Sequence, residues 1–393
     1  MLSGIRVISF THFLQGPSAS QFLADLGAEV IKVEPPTGAF ERSWSGPDAY
    51  LDGTSVFFLL GNRNQQSFSI DLKAPGARRV LTDLLASADV LIESFRPGAM
   101  DRLGLGYNDV AAINPRLIYC SLSGYGSDGP YVDRPGQDVL LQAVSGLAAA
   151  TGRGGVSPTP VGASIVDQHG ATLGALGILA ALHGRERTGR GMKVESNLLN
   201  AALDLQIEPF AYYLNGFRGE RSESGVSSRF YKAPYGVFPT ADGFVCLSLN
   251  SLATLEKLFG DPWFGGVSET DSYARREEVN RRIVGHLREI PTAEWFARCE
   301  AVKVWYAPVN GYEEVVVDPQ VLHNESILAF EHPEAGHVEV LAHPITYDGR
   351  RPGIRSVPQA LGASTRSVLG SLSYTEAEID ELVAEGVILD GAH

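Results

Sequence analysis

The run Ile5-Arg-Val-Ile-Ser-Phe10, a break at Gly16-Pro17, the helical spacing from Ala19 to Leu26, a stop at Gly27 and the run Glu29-Val-Ile-Lys-Val33 together decide the fold. Two apolar runs flanking a helical segment form a βαβ unit, since parallel strands need a crossover long enough to hold a helix. The pattern continues downstream. Pro75 to Ser87 reads as a helix with proline near its first turn, Asp89-Val-Leu-Ile92 as a strand, about 108–113 as a short helix and Leu117-Ile-Tyr-Cys-Ser-Leu122 as another strand. Strands so continuously apolar belong to a parallel sheet covered on both faces, which makes the first half Rossmann-like α/β.

Bulk properties narrow the partners. A chain of 393 residues exceeds the roughly 250–300 that one core holds, so two domains are expected. A formal net charge of -14 excludes nucleic acid and anionic membrane surfaces, both of which require a basic face. Small anionic ligands need only a local cluster of arginines or backbone N–H groups. Cys120, Cys246 and Cys299 are dispersed and odd in number, which argues against a disulfide framework, suits a reducing compartment and offers no zinc spacing. The N-terminal apolar run is too short for a signal peptide, and no stretch of about eighteen apolar residues escapes glycine and polar interruption. A cytoplasmic protein with no membrane partner and no metal is expected.

Further along, Gln137 to Leu147 reads as a helix carrying Asp138, Gln142 and Ser145, and 152–160 as a Gly/Pro-rich loop. Helical spacing returns over 197–214, and 216–228 is polar and glycine-containing, like a linker. Apolar runs at 234–238 and 243–248, a helix at 252–259 and charged helices at about 273–289 and 292–300 indicate a smaller mixed domain. Residues 309–323 turn back, Val338-Glu-Val-Leu-Ala342 is a strand and Tyr374 to Glu385 a terminal helix.

Gly124-Tyr-Gly-Ser-Asp-Gly129 matches G-x-G-x-x-G after a strand. A dinucleotide site needs a helix to start at the third glycine, whereas Pro130-Tyr-Val-Asp-Arg-Pro135 is a loop, so NAD is not expected. No phosphate loop of the G-x-x-x-x-G-K-[ST] type is present. Chemistry is sought instead at Asp167, alone among small and apolar residues in Val161-Gly-Ala-Ser-Ile-Val-Asp-Gln-His-Gly170. From Gly170 to Ala181 every side chain is Ala, Thr, Leu, Ile or Gly, a helix that lets another backbone come close. The plain reading of Asp167 is an N-cap; the sharper one is an acid that a substrate can reach.

Several separated segments then resemble the family III CoA-transferases, a group that includes the 2-methylacyl-CoA racemases. They are Gly16-Pro17 with Leu23-Ala-Asp-Leu-Gly-Ala-Glu-Val-Ile-Lys-Val-Glu34, Phe95-Arg-Pro-Gly98 with Arg102-Leu-Gly-Leu-Gly106, Asn114-Pro-Arg-Leu-Ile118, Ser123-Gly-Tyr-Gly126, Gly136 with Asp138, Asp167, Thr188-Gly-Arg-Gly191 and Ala233-Pro-Tyr-Gly236. The resemblance implies a large Rossmann-like domain built from both chain ends (1–205 and 325–393) and a small α+β domain (230–310). It also implies linkers at 206–229 and 311–324, and an interlocked-ring homodimer. It makes Asp167 the nucleophile that carries CoA from an acyl-CoA to a free carboxylic acid, through mixed anhydrides and an aspartyl-CoA thioester, held ionised and aimed by the helix start. Small residues such as Gly170 and backbone N–H groups there are expected to admit the thioester and stabilise its oxyanion. CoA is substrate, with no tightly bound cofactor, and Gln15, Arg42, Phe95, Arg96, Arg102 and Gln137 are expected to face it.

The departures from the family pattern are informative. Gln65 and Gln66 stand where a basic pair is usual, Leu361-Gly-Ala-Ser-Thr365 replaces Leu-Gly-Glu-His-Thr, and the glycine-rich loop of formyl-CoA transferases is absent, which disfavours oxalate. Racemases place histidine where this chain has Gln137, and glutamine takes no proton near neutral pH. His169 is read as a packing or local hydrogen-bonding residue. Racemase is therefore the runner-up, and a silent CoA-binding subunit the third reading.

Overall fold

In the computed structural model, which describes residues 1–224 and 229–391, the first βαβ unit is β1 (Arg6–Phe10), α1 (Gln15–Asp25) and β2 (Glu29–Glu34). The helix starts four residues earlier than its spacing indicates. It is followed by β3 (Gln65–Ile70), α2 (Ala77–Ala86), β4 (Val90–Glu93), β5 (Ile118–Ser123), α3 (Asp138–Val144), α4 (Ile165–Thr188) and β6 (Lys193–Asn197). A last short strand, β7 (Ile388–Leu389), completes a seven-stranded sheet of order β7-β3-β2-β1-β4-β5-β6. All pairings are parallel except that of β7, which runs antiparallel to β3 with Ile388 opposite Ile70. The C-terminal end thus joins the sheet, but by capping an edge rather than extending the parallel run.

Alternation along the strands divides the core between the two faces. Ile8, Phe10, Ile31, Leu91 and Tyr119 pack with Val80, Leu84 and Leu85 of α2, while Val7, Val30, Val90 and Ile118 pack with Leu23 of α1 and Ile178 of α4. Burial on both faces explains the uninterrupted apolar runs. α4 is long and apolar enough by composition to cross a membrane, contrary to the expectation that no such stretch exists. Its Ala171, Ile178, Ala181 and Leu182 are nevertheless buried in this core, which accounts for its composition.

The chain divides into two units, the larger comprising Met1–Leu141, Ser164–Ala202 and the chain from Pro319 onward, the smaller Gln142–Ala163 and Leu203–Asp318. Residues 142–163, expected in the large domain, group with the smaller unit. Gln142 accepts a hydrogen bond from Val161 N at 2.7 Å, which closes this stretch on itself, and Arg221 donates to Thr151 O at 2.9 Å, which ties it to the segment after residue 203. The expected helix over 137–147 stops at Val144, and Gly146 takes a positive φ of 85° before a second short helix. The expected helix over 197–214 is likewise two, Leu198–Asp204 and Ile207–Leu214. Residues 216–224 form neither helix nor strand, and 225–228 of the expected linker lie outside the described residues. The smaller unit holds a three-stranded antiparallel sheet (Tyr235–Pro239, Phe244–Ser248 and Tyr306–Pro308) packed by Trp295, Phe264, Val279 and Ile283. In the larger unit, the expected lone strand at 338–342 is one arm of a hairpin, Ile327–His332 with Gly336–Leu341.

Candidate active site

The sheet places one crevice. From β1 the chain moves to β2 and β3 on one side, and from β4 to β5 and β6 on the other, so β1 and β4 are neighbours whose connections leave in opposite directions. Ligands of open α/β sheets bind beyond the carboxyl ends of strands at such a switch point. The residues following β1 there are Thr11, His12, Phe13, Leu14 and Gln15; those following β4 are Ser94, Phe95 and Arg96. Residues expected from the sequence to face CoA therefore fall on both lips of the crevice.

Asp167 reaches the same end of the sheet. α4 packs on α1, β5 and β6, and a Cβ added at Gly170 would lie 2.6 Å from Gln15 Nε2. Glycine at that position leaves room for the Gln15 amide to lie against the helix one turn after Asp167. At Gly174 the approaching atom is Leu122 Cδ2, at 2.9 Å from an added Cβ. The small-residue face thus accommodates side chains of α1 and β5, not the second backbone anticipated.

Asp167 is not the N-cap. Ser164 holds that position without a side-chain cap bond, and Asp167 is the third residue of the helix. The cap comes from a distant residue, since one carboxylate oxygen of Asp138 accepts from Val166 N at 2.7 Å and from Asp167 N at 3.0 Å. Two of the four N–H groups that a helix start leaves open are thereby taken, so those of Val166 and Asp167 are not free for an oxyanion. Nor is Asp167 held ionised as expected. Burial first, and the neighbouring Asp138 charge second, push its carboxyl up to about 7. Replacing Asp138 with asparagine keeps an oxygen acceptor for the helix but removes the like charge. The pH at which Asp167 ionises should then fall, read by a shift of the pH–rate profile to lower pH; an unchanged profile would show that Asp138 does not act through charge.

Gln15 is buried, and its Nε2 finds no hydrogen-bond partner among the described residues. Phe95 N donates to Glu93 at 2.9 Å, and the Ser121 hydroxyl donates to the other Glu93 oxygen, so a buried carboxylate at the end of β4 shapes the second lip. Burial raises the Glu93 carboxyl above its usual range against these hydrogen bonds. Arg96 and Arg102 are exposed, and Arg102 forms no ion pair with Asp101 or any other described residue, which leaves both available to phosphate. Gln137 is also exposed, its carbonyl accepting from Leu140 N and Leu141 N at the start of α3.

Arg42 does not fit its expected role. Its Nε and Nη2 make a bidentate pair with Glu34 at 2.6 and 2.8 Å, Nη2 also donates to Gln359 O at 3.0 Å, and the guanidinium lies 4.0 Å from the centre of the Phe58 ring. A fork so committed to a buried carboxylate is part of the core, because removing it would strand the Glu34 charge. Glu34 is accordingly held below the usual range despite burial. The amide of Gln65 likewise points inward, with Nε2 donating to Gly61 O at 2.8 Å.

Two features beneath the first lip escaped the sequence reading. Lys32 and Glu41 form a fully buried pair at 2.6 Å, with Lys32 also donating to Thr11 O and Glu41 accepting from Phe13 N. The signal was present, since a lysine inside the apolar run of β2 requires a buried acid. His12, directly after β1, has its pKa lowered chiefly by burial and stands as neutral imidazole between Phe13 and Phe95. At Gly124 and Gly136 the backbones pass so closely that a Cβ on Gly124 would lie 2.7 Å from Gly136 Cα, and no helix starts at Gly129. Those glycines serve a chain crossing rather than a dinucleotide.

Residues 2–365 match the model of CoA-transferase family III, and the chain belongs to that family. It is an enzyme of the CoA-transferase type. Its sequence is similar to the mouse succinyl-CoA:glutarate CoA-transferase, with 33% identity over 98% of this chain and 90% of the relative. It is also similar to the formyl-CoA:oxalate CoA-transferase of Streptomyces avermitilis, 31% identical over 98% and 99% of the two chains. The fold is similar to the crystal structure of a CAIB/BAIF family protein from Brucella suis, at a TM-score of 0.81 and 28% identity, covering 94% of this chain and 99% of that one.

Proposed function

We propose that the protein exchanges CoA between an acyl-CoA and a free carboxylic acid through covalent attachment to Asp167. The observation that carries this reading is a carboxylate at the sheet's switch point, one turn from Gly170, against which Gln15 Nε2 lies without a partner among the described residues, and between two lips rich in CoA-facing candidates. The ionised Asp167 attacks the thioester carbonyl, forming an acyl-aspartyl anhydride and expelling CoA thiolate. The thiolate attacks the aspartyl carbonyl of that anhydride, giving an aspartyl-CoA thioester and releasing the first acid. An acceptor carboxylate repeats the two steps in reverse and leaves Asp167 as the free carboxylate. Each step exchanges one acyl bond for another, so the thioester's energy is conserved. The burial that raises the Asp167 pKa also strips water from the nucleophile and protects the anhydride from hydrolysis.

Gln15 Nε2 is the donor best suited to the developing oxyanion, because the helix N–H groups of Val166 and Asp167 are already bound by Asp138. Gln15→Leu should lower kcat by about 10²–10³-fold with little change in KM, as for loss of one preorganised oxyanion donor. A rise in KM alone would assign Gln15 to binding instead. Arg96 and Arg102 are read as CoA phosphate contacts, with Phe95 and Gln137 lining the approach. The mechanism is tested by incubating the protein with acyl-CoA and measuring intact mass: a CoA adduct should form, and should be absent in Asp167→Ala. No adduct, together with exchange of the substrate's α-proton into deuterated water, would replace transfer with racemisation.

A further inference from the structure

Six rings form a continuous row in the larger unit. Phe95 lies 5.7 Å from His12, His12 5.0 Å from Phe13, Phe13 4.9 Å from Phe40, Phe40 5.5 Å from Trp44 and Trp44 4.9 Å from Phe57, centre to centre. Rings in such contact normally close a core, yet Phe13, Phe40 and Trp44 remain 42, 46 and 38% exposed. His12 and Phe13 of the row lie in the turn that carries Gln15, whose amide lies against Gly170 of α4. From that turn the row continues through Phe40 to Trp44.

The charges beside the row are cancelled. The short helix Phe40–Ser43 turns Phe40 outward with the following Trp44, while Glu41 and Arg42 point inward, Glu41 onto Lys32 and Arg42 onto Glu34. Neither cation is open to a ligand. Arg96, the exposed guanidinium next to Phe95, stands at the opposite end from Trp44. An acid with a second carboxylate over Phe13, Phe40 and Trp44 would lose hydration there without gaining a cation, whereas a ring or an alkyl chain would be covered on one side by aromatic surface.

We propose that the exposed face of Phe13, Phe40 and Trp44 receives the acyl portion of the transferred acid, and that this acid is an apolar monocarboxylate with a ring or chain of several carbons. The inference rests on the transferase reading above and narrows its substrate class. It sets this chain apart from relatives named for the dicarboxylates glutarate and oxalate. Ring-on-ring contact supplies binding that a small acid does not obtain, so selection operates through kcat/KM among acceptors.

The test uses the full-length protein with acetyl-CoA as donor and phenylacetate, hexanoate, acetate, succinate and glutarate as acceptors, with product masses read over time. kcat/KM for phenylacetate or hexanoate should exceed that for glutarate by at least about tenfold. Trp44→Ala and Phe13→Ala should each lower the phenylacetate-to-acetate ratio at least about fivefold, and Trp44→Phe should restore it, which separates lost contact from lost folding. Preference for succinate or glutarate, or variants that slow all acids equally, would overturn the assignment while leaving transfer intact. Exchange with none of the acids would overturn both readings together.

Discussion

Asp167→Asn should abolish CoA transfer and at the same time stabilise the protein at pH 8. The loss follows from chemistry, because an amide is neither an anionic nucleophile nor able to form the anhydride, and removal of a covalent nucleophile lowers turnover by about 10³-fold or more. The gain follows from the electrostatics of the site. Burial and Asp138 raise the Asp167 carboxyl from 3.8 to about 7, so the folded state binds more protons than the unfolded state between those two values. Stability must then fall as pH rises through that window, with no penalty below about pH 4 and the full penalty above about pH 7. The full shift would correspond to about 4 kcal/mol at 1.36 kcal/mol per unit, and solvent access at this half-buried group reduces it to about 1–2 kcal/mol. Asparagine removes the term. The thermal midpoint of the variant should exceed that of the parent at pH 8 by about 2–4 °C and match it at pH 4. A variant less stable at both pH values would show that the carboxylate supports the helix start instead of straining it. The same titration predicts that transfer accelerates as pH rises through 7, since only the ionised acid attacks.

The largest purely structural loss is expected on breaking the Asp25 network. Asp25, at the end of α1, receives a bidentate pair from Arg63 at 3.0 and 2.6 Å and a bond from Asn64 at 2.8 Å, with His343 Nδ1 3.4 Å away. Arg63 goes on to donate to Leu341 O, and Asn64 to Gly353 O, so this cluster binds the returning C-terminal segment to the first βαβ unit. Both charged side chains are at most 5% exposed. Asp25→Ala leaves the Arg63 guanidinium buried without its anion, at a cost of about 3–5 kcal/mol. The urea midpoint should fall accordingly, and the double variant Asp25→Ala/Arg63→Met should be less impaired than Asp25→Ala alone. If the double variant is as unstable as the sum of the two single changes, packing rather than charge is responsible. Burial favours protonation of Asp25, but the nearby His343 ring and the hydrogen bonds from Arg63 and Asn64 outweigh that and hold the carboxyl below its usual range. Its contribution is therefore present at neutral pH and disappears as pH falls through that lowered pKa, the reverse of Asp167.

The CoA candidates separate according to how their roles are encoded. Gln15, Phe95 and Arg96 follow directly after strands β1 and β4, so locating the strands was enough to place them at the crevice. Arg42 was misread because its place in a loop says nothing of Glu34, eight residues earlier on a strand that brings the carboxylate under the guanidinium. His12 and Glu41 were missed for the same reason. Their significance lies in Phe95 and Lys32, partners that only the folded sheet supplies.

Sequence alone determined the alternation of strand and helix, the parallel sheet, the loop character of Gly124 to Gly129 and the position of Asp167 beside a helix of small residues. These are local properties, written in the periodicity of apolar side chains and in glycine and proline. Tertiary structure decided the rest: that Asp138, 29 residues away, caps α4 in place of Asp167, that Arg42 belongs to the core, and that the Asp167 carboxyl is shifted toward neutrality. Each depends on the distance between polar or charged groups and on the water removed from around them, and neither quantity exists until the chain has folded.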